Sequence, residues 1–198
     1  MEDKILNFIG NIKLGEIKRH RNISIIPIFL KDLAGSAYIT LDEAISNGAL
    51  KIKEISSGGS VPELIAENSG QSKILLLDGE EVIGAKQNRV LNATVLLGIN
   101  SKTVIPVSCV EAHRWSYVSA DFGASENVLN YDIRRAKQSS VYASLRNSNR
   151  YVSNQGEIWD KIEEMSNELK VKSNTQAMRD VYMSFDEDLA GFTGTFPV

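Results

Sequence analysis

The feature that most constrains this chain is a change of hydrophobic period about two thirds of the way along it. Before that point the apolar residues come in short runs rich in Ile, Val and Leu, over 23–30, 50–55, 63–67, 74–77, 90–97 and 103–110. Turn-forming clusters at 56–60, 68–71 and 98–101 separate them. Runs of that length and spacing predict an antiparallel sheet or sandwich rather than a parallel βαβ series. A short helix over 41–46 interrupts them, with Thr40 or Asp42 to cap it and Gly48 to stop it. In the last third Ile158, Ile162, Met165 and Leu169 recur at helical spacing behind Asn154 and Glu157, which resemble a capping box. Met178, Val181, Tyr182, Phe185 and Leu189 predict a further helix, capped from Ser173, Asn174 or Thr175. Residues 126–145 read as helical with a less regular period, and 148–154 as a polar connection. The expected fold is α+β, mainly antiparallel sheet or sandwich in the first two thirds followed by about three C-terminal helices. A single domain is expected over 1–198, strand-rich over 13–118 and helical over 125–192.

With 42% hydrophobic and 24% charged residues, such a chain can bury a sizeable core. Its net charge of −3 and pI near 5.5 give no general attraction to phosphate backbones, and no long stretch is basic, so no nucleic-acid partner is expected. The single cysteine, Cys109, excludes an intrachain disulfide and paired-cysteine metal motifs, and fits a reducing compartment. Residues 1–13 carry Ile5, Leu6, Phe8, Ile9 and Ile12 at helical spacing but lack the basic start and long apolar core of a signal peptide. No run approaches the roughly 18 to 20 apolar residues of a membrane helix. A cytoplasmic protein without a membrane partner is the expectation.

Functional side chains concentrate between Asp78 and Trp115, in DGEEVIGAKQNRVLN and, after a turn, VIPVSCVEAHRW. Taking 89–97 and 103–111 as a hairpin closed by 98–102 sets Arg89 opposite Glu111, Leu91 opposite Cys109, Gln87 opposite His113 and Lys86 opposite Arg114. Odd-numbered positions then share an apolar face (Leu91, Ala93, Val95, Leu97, Ile105, Val107) that points into the core. Arg89 and Glu111 come to its rim, as a structural ion pair or as the floor of a pocket. A slip of one residue would reverse every side chain. Lys86 facing Arg114 is unfavourable unless an anion lies between them. A phosphate would serve, gripped by the Arg114 fork; otherwise both side chains point into water.

Gln87, Asn88 and Asn92 add amides suited to a base or a ribose, or to nearby backbone. His113 and Trp115 would make a pocket wall on which a ring can stack. Asp78, Glu80 and Glu81 flank Gly79 at an expected turn. Clustered carboxylates can hold Mg²⁺ or divide acid and base roles, but without a complete ligand spacing no metal is expected. Cys109 and His113 would lie about 13 Å apart on an extended strand, too far for a dyad, so Cys109 is expected in the core. Trp159 reads as packing. Arg134, Arg135 and Lys137, with Arg146 and Arg150 beyond, read as a solvated basic face unless that helix packs over the hairpin. There is no Walker loop, dinucleotide fingerprint, nucleophile elbow or zinc pattern.

The stretches GEEVIGAKQNRVLN and IPVSCVEAHRW resemble the central signature of a family named for its association with ADP-ribosylglycohydrolase and rhodanese-phosphatase proteins. The segments YITLDEA from Tyr38 and GSVPEL from Gly59, with 155–159 and 180–182, resemble its other blocks, so the resemblance extends over nearly the whole chain. One departure is His113, where a glycine would be expected before Arg114, and which would re-shape the site. The resemblance implies a link to ADP-ribose or NAD-derived metabolites and marks Glu80, Lys86, Gln87, Asn88, Arg89, Cys109, Glu111, Arg114 and Trp115. The expected function is binding of a nucleotide-type anionic small molecule, such as ADP-ribose, NAD or a related signalling nucleotide. The expected ligand-binding residues are Lys86, Gln87, Asn88, Arg89, His113, Arg114 and Trp115. A hydrolase or transferase acting on such a compound would use Glu80 or Glu111 as acid or base. In a protein-interaction module without a small-molecule site, the same charges would be structural. The sequence specifies neither a cofactor nor an oligomeric state.

Overall fold

Pro27, with its fixed φ and no N–H, divides the first predicted strand in two. The chain runs α1 (Glu2–Gly10), β1 (Ile12–Leu14), β2 (Lys18–His20), β3 (Ile23–Ile25) and β4 (Ile28–Leu30). β1 pairs antiparallel with β4, and β2 with β3. There follow β5 (Tyr38–Thr40), α2 (Leu41–Ser46), β6 (Leu50–Glu54), β7 (Glu63–Asn68), β8 (Lys73–Leu76), β9 (Glu80–Gly84), β10 (Arg89–Leu91), β11 (Val95–Leu97), β12 (Ser101–Cys109) and β13 (Phe122–Val128). Helices α3 (Tyr131–Ser148), α4 (Gln155–Glu168), α5 (Met178–Met183) and α6 (Asp186–Thr195) complete it. This computed structural model describes residues 2–30, 37–56 and 58–196; Met1 of the expected N-terminal helical segment and Ser57 of the 56–60 cluster lie outside them.

Two compact units form, Met1–Ser36 with Phe185–Val198, and Ala37–Ser184. Within the first, the His20 ring meets Phe192 edge-on at 4.6 Å and Arg21 pairs with Asp188 at 2.5 Å, tying β2 to α6. The helix expected to run through Met178 and Leu189 is thus two helices, broken at Ser184 and Phe185, and their apolar residues serve different units. No described helix is long and apolar enough to cross a membrane.

In the second unit six strands close into a barrel in the order β10-β12-β7-β6-β13-β9, with a three-stranded sheet β11-β8-β5 beside it. Every pairing within the barrel is antiparallel. Strand alternation sends Ile52, Leu64, Ala66, Val82, Leu91, Ile105, Val107 and Phe122 into one buried cluster, which α2 closes with Leu41 and Ala44. Thr40 caps α2 through a full capping box with Glu43. On the outer face of the barrel Val90 and Val110 join Ile133, Ile158, Ile162 and Met178 in a second cluster, which seats α3, α4 and α5. β10 therefore serves both layers, with Arg89 and Leu91 facing inward and Val90 facing the helices.

Three strand expectations are corrected. The 90–97 run is two strands in different sheets, because the ladder with β12 ends where Asn92 donates to the carbonyl of Pro106, a residue with no N–H to return. The register is consequently two residues from the expected one: Arg89 faces Cys109 and Leu91 faces Val107. An even slip keeps odd residues on the inner face, so the expected facing survives while the expected partners do not. Residues 126–128, read as helical, end β13, and helix α3 begins only at Tyr131 with Asn130 as its cap.

The basic face of α3 is also corrected. Lys137 is fully buried and contacts Asp78, whose other oxygen accepts from Arg134 at 3.0 Å and Gln138 at 2.8 Å; Lys137 also donates to the carbonyl of Leu91 at 2.8 Å. Burial pushes the Asp78 carboxyl up, but the bonds from Lys137, Arg134 and Gln138 outweigh it and hold it below the usual 3.8. A carboxylate lowered in the fold contributes stability that is complete above its ordinary pKa and lost as pH falls through the lowered one. Asp78→Asn is expected to cost about 3–5 kcal/mol in urea unfolding at neutral pH, since it strands a buried ammonium. It should also flatten the acid limb of the stability curve, whereas Arg135→Ala, at an exposed position, should change neither.

Candidate functional site

The chain leaves β12 at Cys109, and from there to His113 it is held largely by side chains and by the approach to α5 rather than by a neighbouring strand. β7 pairs with β12 only as far as Pro106 with Glu63. Beyond that point the N–H and C=O of Cys109 are taken by the amide of Gln155, both at 2.8 Å. Val110 accepts from Met178 N–H at 2.9 Å, Glu111 bridges Ala177, and His113 N–H donates to Thr175 at 3.0 Å. These contacts dock the 110–113 segment against the approach to α5. Ser173 secures that approach, its hydroxyl accepting from Ala177 N–H at 2.9 Å and donating to Asp180 at 2.5 Å.

Glu111 turns back to meet Arg114 and Asn88. Arg114 binds it in a fork, Nε to Oε1 at 2.8 Å and the terminal nitrogen to Oε2 at 2.7 Å, while the N–H of Asn88 donates to Oε2 at 3.1 Å. Burial raises the Glu111 carboxyl, but Arg114, Asn88 and Thr175 outweigh it and hold it below the usual range. Arg114 also donates to the carbonyls of Gly84, Ala85 and Ser116 and to Asn88 Oδ1, so all its donors are engaged within the protein. Arg89 is not the partner of Glu111. The two are joined through Gln87, which donates to the Glu111 carbonyl and accepts from Arg89 at 2.7 Å.

Lys86 and Arg114 do not face one another. Lys86 donates to Gly58 O at 2.8 Å, and its ammonium lies 5.4 Å from the Trp115 ring and 5.1 Å from Tyr117. No like-charge pair therefore awaits an anion, and the motive for placing a phosphate between these residues is gone. The three carboxylates expected at one turn diverge. Asp78 joins α3, Glu80 accepts from Leu77 N–H at 2.7 Å, and Glu81 is buried with Ser125 at 2.7 Å and Asn127 at 3.2 Å.

A cleft of about 320 Å³ opens between β9, the 111–118 segment and α5, and Asn88, Glu111, Arg114, Arg179 and Asp180 supply its polar groups. His113 is exposed and does not line it. Ile83 and Gly84 form its β9 wall. Gly84 has φ +118°, and a Cβ there would collide with Ser119 Oγ, so the close approach of the 118–121 loop requires glycine. Glu81 shares the outer face of β9 with Ile83, one pleat further in. Burial pushes its carboxyl up, Ser125, Asn127 and Arg179 draw it down, and Glu111 adds to the rise. Arg179 makes no hydrogen bond or ion pair among the described residues. Neither Arg179 nor Glu81 was singled out for this cleft by the sequence, since only the fold brings α5 against β9.

Lys86, Gln87, Arg89 and Trp115 lie at the adjoining end of the barrel. Arg89 is fully buried, with NH1 on Gln87 and on Cys109 Sγ, and its guanidinium lies 5.3 Å from the Trp115 ring. Asn92 is buried away from both places, accepting from Ser108 at 2.6 Å and donating to Tyr151 O at 3.0 Å. The structure thus brings Asn88, Glu111 and Arg114 to the cleft, and Lys86, Gln87, Arg89 and Trp115 to the barrel mouth next to it.

The ARG and Rhodanese-Phosphatase-superfamily-associated Protein domain family, ARPP-1, matches residues 11–198. No curated protein and no solved structure matches the chain.

Cys109 tests the packing of the mouth. Burial pushes its thiol up to about 11, only partly offset by Arg89, so little thiolate is present near neutral pH. Labelling of the native protein by a thiol reagent at pH 8 is expected to be slower than that of the urea-unfolded chain by about a hundredfold or more, tracking local opening. Labelling of the native protein at the unfolded rate would show the mouth to be open.

Proposed function

The chain belongs to the ARG and Rhodanese-Phosphatase-superfamily-associated Protein domain family, and from that premise and the geometry of the cleft we propose that it binds a nucleotide-type anionic small molecule, such as ADP-ribose, NAD or a related signalling nucleotide. The observation that carries this reading is the guanidinium of Arg179, which makes no hydrogen bond or ion pair among the described residues, on a cleft whose other arginine, Arg114, already neutralises Glu111. An anion entering there meets a guanidinium that is hydrogen-bonded to no carboxylate among the described residues, while the Asn88 amide lies on the same cleft and Asp180, bonded to Ser173, is its other acidic group. The volume suits a phosphate with its sugar, near the lower end of small-molecule sites. Lys86 and Trp115 at the adjoining mouth add a cation and an aromatic ring. The ADP-ribosylglycohydrolase association in the family resemblance supports the same ligand class.

A hydrolase or transferase on such a compound is favoured by one further observation, the opposite displacement of two carboxyls beside one cleft. Glu111 is held ionised and Glu81 is pushed toward its neutral form. Glu81 joins the expected candidates Glu80 and Glu111, with Glu80 accepting from the Leu77 N–H on its own turn. In that reading Glu111→Gln abolishes product formation, followed by mass spectrometry, while binding persists. Absence of product from every nucleotide offered would remove the enzyme reading and leave the binding one.

Calorimetry at modest salt is expected to show heat with ADP-ribose or NAD and an affinity that declines as salt rises. Arg179→Ala should weaken binding about ten- to hundredfold, the value of a charge-assisted hydrogen bond of about 1.5–3 kcal/mol. No heat from either compound would end the proposal. Undiminished binding in Arg179→Ala would remove the cleft from it.

A further inference from the structure

The alternation that builds the barrel core also delivers two opposite charges into its interior at one end. Glu54 follows Leu50 and Ile52 on the inward face of β6, and Arg89 precedes Leu91 on that of β10. Their side chains are 4% and 0% exposed, and they approach only to 3.8 Å, an ion pair without a hydrogen bond. Arg89 spends NH1 on Gln87 and Cys109. Its Nε and NH2, and both oxygens of Glu54, are buried with no hydrogen-bond partner among the described residues. Buried polar groups in folded proteins are nearly always bonded, and a charge taken out of water is the costliest exception. Leucine or methionine would fill the same positions without that cost, so the barrel keeps here a donor and an acceptor side by side that the described protein does not use.

Trp115, Lys86 and Gly59 lie beside this pair at the barrel mouth. Trp115, 48% exposed, lies against Arg89, and Lys86 clasps the Gly58 carbonyl across the mouth. Gly59, at φ +80°, closes the seam. A Cβ there would lie 3.2 Å from Lys86 Cδ and from Trp115 Cζ2, and 3.4 Å from Glu54 Oε2.

We propose that this end of the barrel binds the neutral amide edge of a small molecule, its carbonyl oxygen accepting from Arg89, its N–H donating to Glu54, and Trp115 covering the ring that carries it. An anionic group would be drawn by Arg89 but repelled by Glu54, and a cationic one the reverse. A neutral group that carries a donor beside an acceptor satisfies both. The inference rests on the anion reading of the adjoining cleft, from which a phosphate could extend a ring-borne carboxamide to the mouth. Arg114 and Trp115 are consecutive and so take the chain from one to the other. It selects, within the nucleotide class, compounds that carry a carboxamide over those that do not.

Calorimetry with nicotinamide mononucleotide, nicotinic acid mononucleotide and ribose 5-phosphate separates the possibilities, because the first two differ only in carboxamide against carboxylate. The wild-type protein is expected to bind the amide about tenfold or more tighter than the acid. Glu54→Gln, which keeps the shape and removes the charge, should erase most of that preference. Trp115→Ala, at an exposed position, should weaken both ring compounds and spare ribose 5-phosphate. Binding of all three with equal affinity would mean that water alone solvates the pair and would overturn the inference, while leaving the anion reading intact. No binding of any of the three would remove both. The wild-type comparison decides the matter alone if Glu54→Gln fails to fold.

Discussion

The pairing of Arg89 with Cys109 across β10 and β12 governs which way every neighbouring side chain points. From it, Leu91 and Val107 enter the barrel, Val90 and Val110 turn outward to seat three helices, and Asn88 reaches the cleft. A single residue of slip would bury Val90 in the barrel and put Arg89 among the helices, so the apolar requirements on both faces of β10 hold the register. The ladder on that edge is short because Pro106 cannot donate. On the opposite edge of β12, where the pairing with β7 ends, Gln155 takes the backbone of Cys109, and between β10 and β12 the Ser108 hydroxyl donates to the Asn92 side chain.

Two buried charge groups flank β10 and are treated in opposite ways. Asp78 accepts from Lys137, Arg134 and Gln138, and Lys137 finds a further acceptor in the Leu91 carbonyl, so the group is saturated and locks α3 onto the barrel. Arg89 and Glu54, equally buried, retain atoms without a hydrogen-bond partner among the described residues. The first arrangement is what a structural ion pair requires to offset its desolvation. The second lacks those bonds, and the difference between them, within one barrel, gives the mouth its functional interest.

Local signals made several elements legible in the sequence. The Thr40 cap of α2, the Asn154 cap of α4, and the apolar runs of β6, β7, β8 and β12 all act over a few residues, and each forms where it was expected. The alternation of 89–91 with 105–109 correctly assigned the inner face, since a two-residue error leaves parity unchanged. What escaped was non-local. Glu80 and Glu81 read as part of a turn around Gly79, yet with 82–84 they form a barrel strand flanked by β10 and β13. Phe122 to Val128 includes Gly, Ser, Glu and Asn and has no strand signature, and it pairs only because the barrel must close. Lys137 looked solvated because its partner Asp78 lies on a different element. Glu54 ends an ordinary strand run, and only closure brings it within 3.8 Å of Arg89. Arg179 sits beside the stretch that resembled a family block, with no signal that α5 would face β9.

The cleft and the mouth share one short segment, and its geometry couples them physically. Gly84 and Ala85 offer their carbonyls to Arg114, and Ala85, at φ 39°, holds a left-handed turn that its N–H secures on Ser119 at 2.8 Å. Lys86, next in sequence, clasps the mouth. Gln87 then touches both places at once, donating to Glu111 and accepting from Arg89, and Asn88 returns to the cleft. A ligand group that drew Arg89 away from Gln87 would leave that amide oxygen buried and unpaired unless the side chain shifted. A shift of Gln87 would in turn release the carbonyl of Glu111, the residue that Arg114 holds in the cleft. The five residues from Gly84 to Asn88 thus join the cleft and the mouth through shared hydrogen bonds.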